Sequence, residues 1–494
     1  MSKLSIDELA VFAKKKGFVF PSTEIYGGMA GFFEYGPLGV ELKNNIKASW
    51  WKTFVQSRED VFGLDGSLIS SAKIWEASGH LASFSDMLVQ CVKCGKSHRA
   101  DSLVEDTLKI NVDGIKADAL NKLIADNNIK CPECKSDLKP VESFNLMFPV
   151  QIGAEKTKDS TAYLRGETAQ LIFAAFRNIV DSSRVKLPFG IAQVGKAFRN
   201  EISPRNFLFR TREFEQMELE FFIKPDDRKC LLLEKKHLDL AFFFYSAEDQ
   251  EKKKEHSQTK ISDMLKKKKL DEWHAYWLAE SYLWFTGLGM KEENLRVREH
   301  TKTELSHYSS ATFDIDYNFP FGWKEIYGNA NRGQFDLAQH MKHSGKSLEI
   351  FDEDEKGRIV PRVIEPSFGV DRAFMSFLYD AYNDDTERGN IVLKLHPKLA
   401  PIKVGVFPLI NKLDKDARKV YDMLKDEFAC TYDRGGSIGR RYARADEQGI
   451  PFCITIDFET LEDKAVTIRD RDNTKQERIK ISKLKDKLGE LLNQ

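Results

Sequence analysis

The sequence lacks the features that would send a chain into a membrane or a secretory route. No apolar run in its 494 residues reaches the length that spans a bilayer. The opening stretch, MSKLSIDELAVFAKKKGF, has no signal-peptide core and predicts a short amphipathic helix with a Ser5–Glu8 capping box and Gly17 near its end. We therefore expect a soluble, cytoplasmic protein.

Net charge is also absent, because 76 basic residues balance 76 acidic ones. The overall field of the chain therefore cannot attract nucleic acid, and any such partner must meet a local patch. The apolar share of 41% and the charged share of 31% are typical of a globular protein. The length exceeds what one core can hold, so we expect two or more domains.

Cysteine is scarce, and its seven residues form no even disulfide framework. Cys91 and Cys94 form one Cys-x-x-Cys pair, and Cys131 and Cys134 form another. This pattern predicts a structural zinc with four thiolate ligands and no open position, with free thiols as the alternative because the interval between the pairs is long. The other three are expected to be buried small hydrophobes: Cys230, Cys430 and Cys453.

The sequence has neither a GxxxxGK[ST] nor a GxGxxG phosphate loop, so a nucleotide site must be built in another way. Residues 189–199 and 207–223 predict two strands. In the second strand, alternation places Met217, Leu219 and Phe221 in the core. The opposite face carries charged, polar and aromatic side chains: Arg210, Arg212, Phe214, Gln216, Glu218 and Glu220.

This mixture favours a ligand of mixed charge. Arginine forks suit phosphate oxygens, a phenyl ring can stack on a base, and carboxylates can bind Mg²⁺ or an ammonium group. On the preceding strand Arg199 and Glu201 share a face, so both strands could contribute to one surface. Strand alternation alone leaves open the alternative of a cross-strand salt-bridge lattice.

The pattern along the chain predicts further elements. Large apolar residues four apart indicate a helix from Pro37, whose stripe suits a core or a subunit interface equally: Leu38, Leu42, Ile46, Trp50 and Phe54. Residues 226–295 read as mostly helical, and their lysine-rich run as a solvated helical face, with RNA contact as the alternative. The last hundred residues alternate strands and helices as a small α/β domain after the linker HPKLAP.

Several motifs resemble class II aminoacyl-tRNA synthetases. Arg199-x-Glu201 followed by Arg210-x-x-x-Phe214 matches motif 2, FGVDRAF resembles motif 3, and the helix from Pro37 lies where motif 1 is expected. More narrowly, RGETAQ, FRNEISPR, FRTREFEQMELEFF, FPFGWKEIYG and EPSFGVDR look like glycyl-tRNA synthetases of the dimeric type. VTIRDRDNTKQERI is similar to their anticodon-binding domain, so the resemblance runs from about residue 5 to the end.

The resemblance implies an α+β catalytic domain, an antiparallel sheet flanked by helices, with a Cys-rich insertion and a C-terminal α/β anticodon-binding domain. It implies six segments: 1–90, catalytic with motif 1; 91–140, the CxxC/CxxC insertion; 141–225, catalytic with motif 2; 226–295, a helical insertion; 296–398, catalytic with motif 3; and 399–494, anticodon-binding.

The resemblance also implies an ATP site. Arg199 would contact the α-phosphate and serve as a catalytic residue together with Arg372, which would contact the γ-phosphate. Phe214 would stack on adenine, and Glu325 would help to hold Mg²⁺. The implied ATP-binding set is Arg199, Asn200, Glu201, Phe209, Arg210, Thr211, Arg212, Glu213, Phe214, Glu325, Ile326, Gly369, Val370, Asp371 and Arg372.

For glycine, only the ammonium and the carboxylate can be gripped, so selectivity must come from filling the space of a larger side chain. The implied glycine-binding set is Arg99, Glu167, Phe214, Glu215, Gln216, Met217, Glu218, Arg332, Glu365, Pro366, Ser367, Phe368 and Gly369. Arg332 would bind the carboxylate or form the pocket wall. Taken alone, Glu167 could be an ordinary acid at a helix N-terminus.

The resemblance implies an enzyme that joins glycine to tRNA(Gly) through a glycyl-adenylate, with ATP and Mg²⁺, structural Zn²⁺ and a homodimeric assembly. In the terminal domain, Arg434, Arg440, Arg441 and Arg444 suit RNA phosphates or salt bridges. Two alternatives are a non-catalytic synthetase-like protein that binds nucleic acid and a class II synthetase for another small amino acid.

Overall fold

The structure is a computed structural model. It describes residues 4–110, 112, 115–154, 160–302, 304–305, 309–354 and 356–493. Within these ranges, no helix is both long and apolar enough to cross a membrane. The N-terminal helix Ile6–Lys16 begins at the predicted capping box of Ser5 and Glu8, and Gly17 ends it in the left-handed conformation.

A nine-stranded sheet, called the central sheet, draws its strands from residues 61–369. It is antiparallel except at its two parallel pairings near the edges. In spatial order its strands are Ser257–Lys260, Ala241–Tyr245, Leu295–Glu299, Ala311–Phe319, Gly322–Gly333, Arg362–Gly369, Glu213–Ile223, Phe189–Phe198 and Val61–Gly63.

Helices cover the apolar sides of this sheet. The main core packs the sheet against three helices, Pro37–Trp51, Glu272–Gly287 and Val370–Ala381. A second cluster packs Ala169–Ser183 and Phe335–Ser344 against the sheet on the strands that carry Phe189, Phe222 and Val363. Strand alternation explains the division, because successive side chains point to opposite faces.

The helix from Pro37 continues into a π-helical turn, Lys52–Gln56. The predicted stripe is buried inside this chain, with the Phe54 ring 5.4 Å from that of Phe368. The stripe is therefore a core face, and the exposed side of the helix is the opposite one, with Val40 and Ala48.

The second strand of the predicted pair begins later than its pattern indicated. Residues 207–209 form a 3-10 turn, and the strand starts at Glu213 rather than at 207. Asn206 and Phe207 take positive φ angles of 60° and 56°, which turn the chain before it can extend. Arg210 and Arg212 therefore lie in a loop, called here the 199–212 loop.

A three-stranded sheet carries the cysteine pairs. Its strands are, in order, Ser97–Arg99, Ser85–Gln90 and Glu142–Asn145. Helices Ala100–Leu108 and Ala117–Asp126 cover it and enclose a small core of their own that includes Val89, Val104 and Leu120. We call residues 85–145 the cysteine module. A second three-stranded sheet, in the order Ile69–Ser71, Thr161–Leu164 and Phe148–Gln151, takes one strand from before the module and two from after it.

Residues 226–295 differ from the mostly helical prediction. Besides helices Lys235–Leu238, Ala247–Glu251, Ile261–Lys266 and Glu272–Gly287, the segment contributes two strands to the edge of the central sheet. The charged run after Ala247 is therefore no single helical face. Its lysines are largely exposed, as predicted, but the apolar alternation of AFFFY at 241–245 formed a strand.

The terminal domain has a five-stranded sheet in the order Cys430–Tyr432, Val404–Pro408, Phe452–Ile456, Ala465–Asp470, Gln476–Lys480. Helices Asp414–Leu424, Ile438–Gln448 and Leu484–Asn493 accompany it, and a separate apolar cluster fills it. The predicted hairpin turns at Asp472 and Asn473. Of the three isolated cysteines, Cys230 and Cys453 are buried, whereas Cys430 is half-buried.

Candidate active site

A cavity of about 280 Å³ opens on the polar face of the central sheet. Its lining is contributed by the 199–212 loop, four neighbouring strands, the first turn of helix Val370–Ala381 and the segment before helix Ala169–Ser183. It is lined by Glu167, Arg199, Glu201, Leu208, Phe209, Arg210, Thr211, Phe214, Glu215, Gln216, Glu218, His300, Thr312, Asp314, Glu325, Gly328, Ala330, Glu365, Ser367, Gly369, Asp371 and Arg372.

Arg199 occupies one end of the cavity between two aromatic rings. Its guanidinium carbon lies 5.2 Å from the centre of the Phe214 ring and 5.1 Å from that of Phe84. Its Nε donates a hydrogen bond to the carbonyl oxygen of Gly166 at 3.1 Å. These contacts restrain the guanidinium of Arg199 where it lines the cavity.

Arg372 stands at the same end, in the first turn of its helix. Its Nη1 lies 3.1 Å from Glu325 Oε1, and its guanidinium carbon lies 4.4 Å from the Phe209 ring centre. Burial would raise the pKa of the Glu325 carboxyl, but the nearby arginines Arg372 and Arg298 hold that pKa below its usual value. This end of the cavity therefore combines arginine cations with one ionised carboxylate.

Asp371 is engaged by its own neighbours. One carboxylate oxygen accepts a hydrogen bond from Tyr35 and lies 3.2 Å from Lys43 Nζ. The other accepts from the backbone N–H of Glu215 at 2.6 Å. Asp371 thus links helix Val370–Ala381, which carries Arg372, to the start of strand Glu213–Ile223.

Carboxylates gather at the opposite end. One oxygen of Glu218 accepts hydrogen bonds from the backbone N–H groups of Thr168 and Ala169, at 3.1 and 2.9 Å. The other accepts from Ser367 Oγ at 2.8 Å and from Gln216 Nε2 at 2.7 Å. Burial and the charge of Glu167 raise the pKa of the Glu218 carboxyl despite these donors.

Glu167 is the second carboxylate of this end. Its Oε2 lies 3.5 Å from His80 Nε2, and its Oε1 accepts from Gln170 Nε2 at 3.0 Å. Burial opposes its ionisation, but His80 and Arg332 hold the pKa of Glu167 well below its usual value. It is therefore a fixed negative charge at the cavity wall.

Glu365 is the third carboxylate at this end of the cavity. Its Oε1 accepts from Arg332 Nη1 at 2.7 Å, and the same guanidinium donates Nε and Nη2 to the two oxygens of Asp336, each at 2.8 Å. Burial raises the pKa of Glu365 to about 8, and repulsion from Glu218 and Glu167 opposes the attraction of Arg332. A cation that entered this end would relieve that repulsion.

The structure brings most of the predicted residues to one cavity. Of the implied ATP set, the lining residues are Arg199, Glu201, Phe209, Arg210, Thr211, Phe214, Glu325, Gly369, Asp371 and Arg372. Of the implied glycine set they are Glu167, Phe214, Glu215, Gln216, Glu218, Glu365, Ser367 and Gly369. In strand Arg362–Gly369 the cavity-facing residues follow the alternation, as Glu365, Ser367 and Gly369 illustrate. In strand Glu213–Ile223, Glu215 also lines the cavity and departs from the alternation of its neighbours.

Other predicted residues lie off the lining: Arg99, Asn200, Arg212, Glu213, Met217, Ile326, Arg332, Pro366, Phe368 and Val370. Met217, Ile326, Phe368 and Val370 belong to the main core, on the opposite strand face or the buried side of the helix. Arg212 donates instead to the carbonyl oxygens of Glu201 and Ala30, at 2.9 Å each. The sequence did not show which neighbouring residues would cover or bond to these side chains.

Sequence reasoning missed six lining residues: Leu208, His300, Thr312, Asp314, Gly328 and Ala330. His300 Nε2 and Asp314 Oδ2 lie 2.7 Å apart. Burial, with the charge of Glu325, raises the pKa of Asp314 to about 6. The alternation of ATFDIDYNF carried a signal, because it places Asp314 and Asp316 on the polar face of strand Ala311–Phe319.

The four cysteines of the two pairs come together away from the cavity. The Sγ atoms of Cys91, Cys94, Cys131 and Cys134 all lie within 4.8 Å of one another. Zinc–thiolate bonds of about 2.3 Å in a tetrahedron place sulfurs about 3.8 Å apart. The Cys91–Cys134 and Cys94–Cys131 distances of 3.4 and 3.7 Å agree with that spacing, so the cluster can hold a metal ion.

The four arginines predicted in the terminal domain differ in their bonding partners. Arg441 is buried and donates to the carbonyl oxygens of Pro408 and Asp433. Arg444 and Arg434 pair with Asp433 and Asp414. Arg440 is exposed, and the described part of the chain contains no ion pair to its guanidinium.

Comparisons with known proteins agree with this geometry. Residues 152–381 match the tRNA synthetase class II core domain (G, H, P, S and T), and residues 403–491 match the anticodon binding domain. The glycine–tRNA ligase of Caldanaerobacter subterraneus subsp. tengcongensis is 46% identical over 498 residues, which is 99% of each chain. The chain belongs to the glycine–tRNA ligase family. A second glycine–tRNA ligase, from Geobacillus thermodenitrificans, is 47% identical over 97% of this chain and 96% of its own.

Solved structures show the fold of this glycine–tRNA ligase family member at lower identity. Prolyl-tRNA synthetase from Cryptosporidium parvum, in complex with halofuginone and AMPPNP, has a TM-score of 0.60 and 15% sequence identity. It covers 99% of this chain and 75% of its own. The shared architecture is a class II core joined to an anticodon-binding domain, as the sequence predicted.

Proposed function

We propose that this chain is a glycine–tRNA ligase that joins glycine to the AMP part of ATP, releasing pyrophosphate, and then transfers glycine from the glycyl-adenylate to the 3′ end of tRNA(Gly), releasing AMP. The observation that carries the proposal is the division of the cavity. Arginines and an aromatic ring occupy one end, and largely buried carboxylates occupy the other. A polyphosphate and an ammonium group fit these two ends side by side.

At the arginine end, an oxygen of the glycine carboxylate attacks the α-phosphorus, and the bond to the pyrophosphate oxygen breaks. Negative charge develops on the phosphate oxygens, where Arg199 and Arg372 supply fixed cations. Phe214 offers its ring to adenine, and Glu201 offers a carboxylate to the adenine amino group. Asp371 holds the helix that carries Arg372 against strand Glu213–Ile223 through its hydrogen bond from Glu215.

At the carboxylate end, Glu167, Glu218 and Glu365 bind the glycine ammonium. Burial, with repulsion from Glu218 and Glu167, raises the pKa of Glu365 to about 8, so a cation bound among these carboxylates is favourable. Gln216 and Ser367 complete this wall and occupy space that a larger side chain would need. Arg332 supports this wall from behind, because its guanidinium bonds already go to Asp336 and Glu365.

Metals would assist in two places. Glu325 would hold Mg²⁺ against the phosphates, since a carboxylate beside a polyphosphate is a common Mg²⁺ ligand set. The four cysteines would hold structural Zn²⁺, which their sulfur spacing fits. Zinc would contribute stability to the cysteine module and no reactive position.

For the assembly, we propose a homodimer that uses the motif 1 region. The apolar stripe of helix Pro37–Trp51 is consumed by the core, so the partner would meet the exposed side with Val40, Asn44 and Ala48. The terminal domain would meet the anticodon, with Arg440 among its RNA contacts. Sedimentation of the purified protein measures the assembly state directly.

ATP–pyrophosphate exchange with glycine, alanine and serine tests the activity. We expect exchange that depends on glycine, followed by charging of tRNA(Gly). Exchange with alanine or serine but not glycine would assign the site to another small amino acid. Absence of exchange with all three would favour a non-catalytic synthetase-like protein.

A further inference from the structure

The segment that leads into the cysteine module touches the cavity wall. Phe84 immediately precedes strand Ser85–Gln90 and packs its ring against the guanidinium of Arg199, at 5.1 Å. The Phe214 ring lies 5.2 Å from the same guanidinium. One of the two rings that orient Arg199 therefore belongs to the module border rather than to the central sheet.

The segment that leaves the module touches the same loop. The backbone N–H of Asn200 donates to the carbonyl oxygen of Leu146 at 2.8 Å, one residue after strand Glu142–Asn145. Leu146 in turn donates its N–H to the carbonyl oxygen of Phe84 at 3.0 Å. The incoming and outgoing segments are thus bonded to each other and to the 199–212 loop.

An ionic network extends from the module toward the cavity. Arg99 Nη1 lies 3.1 Å from Asp86 Oδ2, and Arg99 also forks onto Asp101. Across from this group, Arg210 Nε lies 3.7 Å from Glu201 Oε2. Asp86 raises and Arg99 lowers the pKa of Arg210, and Glu201 raises the pKa of Arg99, so the two groups lie within electrostatic range of each other.

The tip of the loop makes a third connection. Arg205 Nη2 donates to Ser102 Oγ at 3.4 Å, and Arg205 Nη1 lies 3.8 Å from Asp106 Oδ2, both on helix Ala100–Leu108. The module therefore meets the loop at its start, along its charged side and at its tip. Without these contacts, the 199–212 loop would lose conformational entropy when a ligand ordered its charged side chains.

We propose that the cysteine module is a positioning wall of the nucleotide site, in which Phe84 and Arg99 fix Arg199 and the Glu201–Arg210 pair. This rests on the proposed function in one respect, that the arginine end of the cavity binds ATP. Phe84 and Arg99 are positioning residues, since neither lines the cavity. Their contribution is preorganisation, which holds cations where charge will develop.

The cysteine cluster bears on the same wall. Arg99 lies at the end of strand Ser97–Arg99, and that strand begins three residues after Cys94. Its neighbour His98 has Nε2 3.6 Å from Cys131 Sγ. The cysteine cluster therefore adjoins the strand that carries Arg99. We expect loss of the cluster to weaken the binding of ATP more than the binding of glycine.

The test compares Arg99→Ala and Phe84→Leu with Phe84→Tyr, which retains a ring, and with the control Lys139→Ala. Lys139 is an exposed module cation whose amine bonds to Gln90. Calorimetry with a non-hydrolysable ATP analogue on the full chain reports nucleotide affinity without requiring glycine activation. Exchange kinetics give the KM values for ATP and glycine, and circular dichroism verifies folding.

We expect Arg99→Ala and Phe84→Leu each to weaken analogue binding about fivefold, the loss of one cation–π or partly buried ionic contact. Arg99→Ala should raise the KM for ATP and leave that for glycine within about twofold, while Phe84→Tyr and Lys139→Ala bind as the parent does. Cys94→Ser should weaken binding of the analogue as Arg99→Ala does.

The proposal is overturned if folded Arg99→Ala and Phe84→Leu both bind the analogue with unchanged affinity. It is also overturned if Arg99→Ala changes only the KM for glycine. Analogue binding without glycine-dependent exchange would contradict the proposed function and not the wall.

Discussion

Arg332 Nη1 lies 2.7 Å from Glu365 Oε1, and both side chains are almost completely buried. The same guanidinium forks onto Asp336, so one arginine neutralises a pair of buried carboxylates. The sequence allowed Arg332 either to bind a substrate carboxylate or to form the pocket wall. This geometry favours the wall, because the donors face protein carboxylates already in place.

Removal of Arg332 should therefore destabilise the protein strongly. In Arg332→Leu, Asp336 and Glu365 remain buried without their cation, and we expect a loss of about 3–5 kcal/mol in the free energy of unfolding. Urea denaturation measures it. The control Arg177→Ala removes an exposed i,i+4 pair with Asp181 and should cost under about 1 kcal/mol. Equal effects in the two variants would contradict the role assigned to Arg332.

Loss of Arg372 should affect chemistry and spare stability. Its side chain is partly exposed and its ion pair is with Glu325 at the cavity, so Arg372→Ala leaves no deeply buried charge unpaired. We expect glycine-dependent exchange to fall by about 10²–10³, as when one preorganised donor is removed, with an unchanged melting temperature. Arg358→Ala, on an exposed hairpin, is the control and should exchange normally. A fully active Arg372→Ala would refute its catalytic role.

Glu220 should make stability depend on pH. The carboxyl is fully buried and neither oxygen has a hydrogen-bond partner among the described residues, so burial raises its pKa well above 4.5 in the folded chain. The folded state therefore keeps a proton that the unfolded state loses above pH 4.5. Wild-type stability falls as pH rises from there toward the folded pKa, by up to about 1.4 kcal/mol per pH unit from this group.

The isosteric variant Glu220→Gln removes that dependence. Its gain over the wild type should be small at pH 5 and larger at pH 8, measured by urea denaturation at both pH values. Glu142→Gln alters an exposed carboxyl and should show no such trend. A gain from Glu220→Gln that is the same at both pH values would show that Glu220 is ionised in the folded protein.

Arg440→Ala should weaken tRNA binding and leave glycine activation intact. Arg440 is exposed beside residues whose guanidinium groups are already paired, such as Arg444. We expect a higher KM for tRNA in charging and a salt dependence reduced by about one phosphate contact. Lys419→Ala, on helix Asp414–Leu424, is the control. Charging kinetics that match the parent at every salt concentration would exclude Arg440 from the RNA contact.

Metal analysis should find one zinc per chain. Cys134→Ser removes one of four sulfurs and should abolish stoichiometric zinc while lowering the melting temperature, because metal binding contributes to the folding of such modules. Cys430→Ser changes a half-buried thiol outside the cluster and should retain the metal. Zinc retained in Cys134→Ser at full occupancy would contradict the four-thiolate site.

The periodicity of apolar residues in strands and helices predicted much of the fold. Alternation in MELEFF placed Met217 and Leu219 in the core and Glu218 on the cavity face, as found. It failed where two signals competed: AFFFY, inside a charged helical pattern, formed a strand at the sheet edge. The 3-10 turn at Phe207–Phe209 also escaped prediction, since it depends on positive φ angles at residues with no glycine signal.

The sequence by itself determined the order of the motifs, the faces of their strands and the two Cys-x-x-Cys pairs, because these depend on local spacing. Only the tertiary structure decided which charges are free to meet a ligand. Arg212, Arg332 and Arg441 looked available in the sequence, yet each is satisfied by carbonyls or carboxylates brought from elsewhere in the chain. The physical reason is that a hydrogen-bond partner is set by cross-strand register and packing, which residue spacing along one segment does not encode.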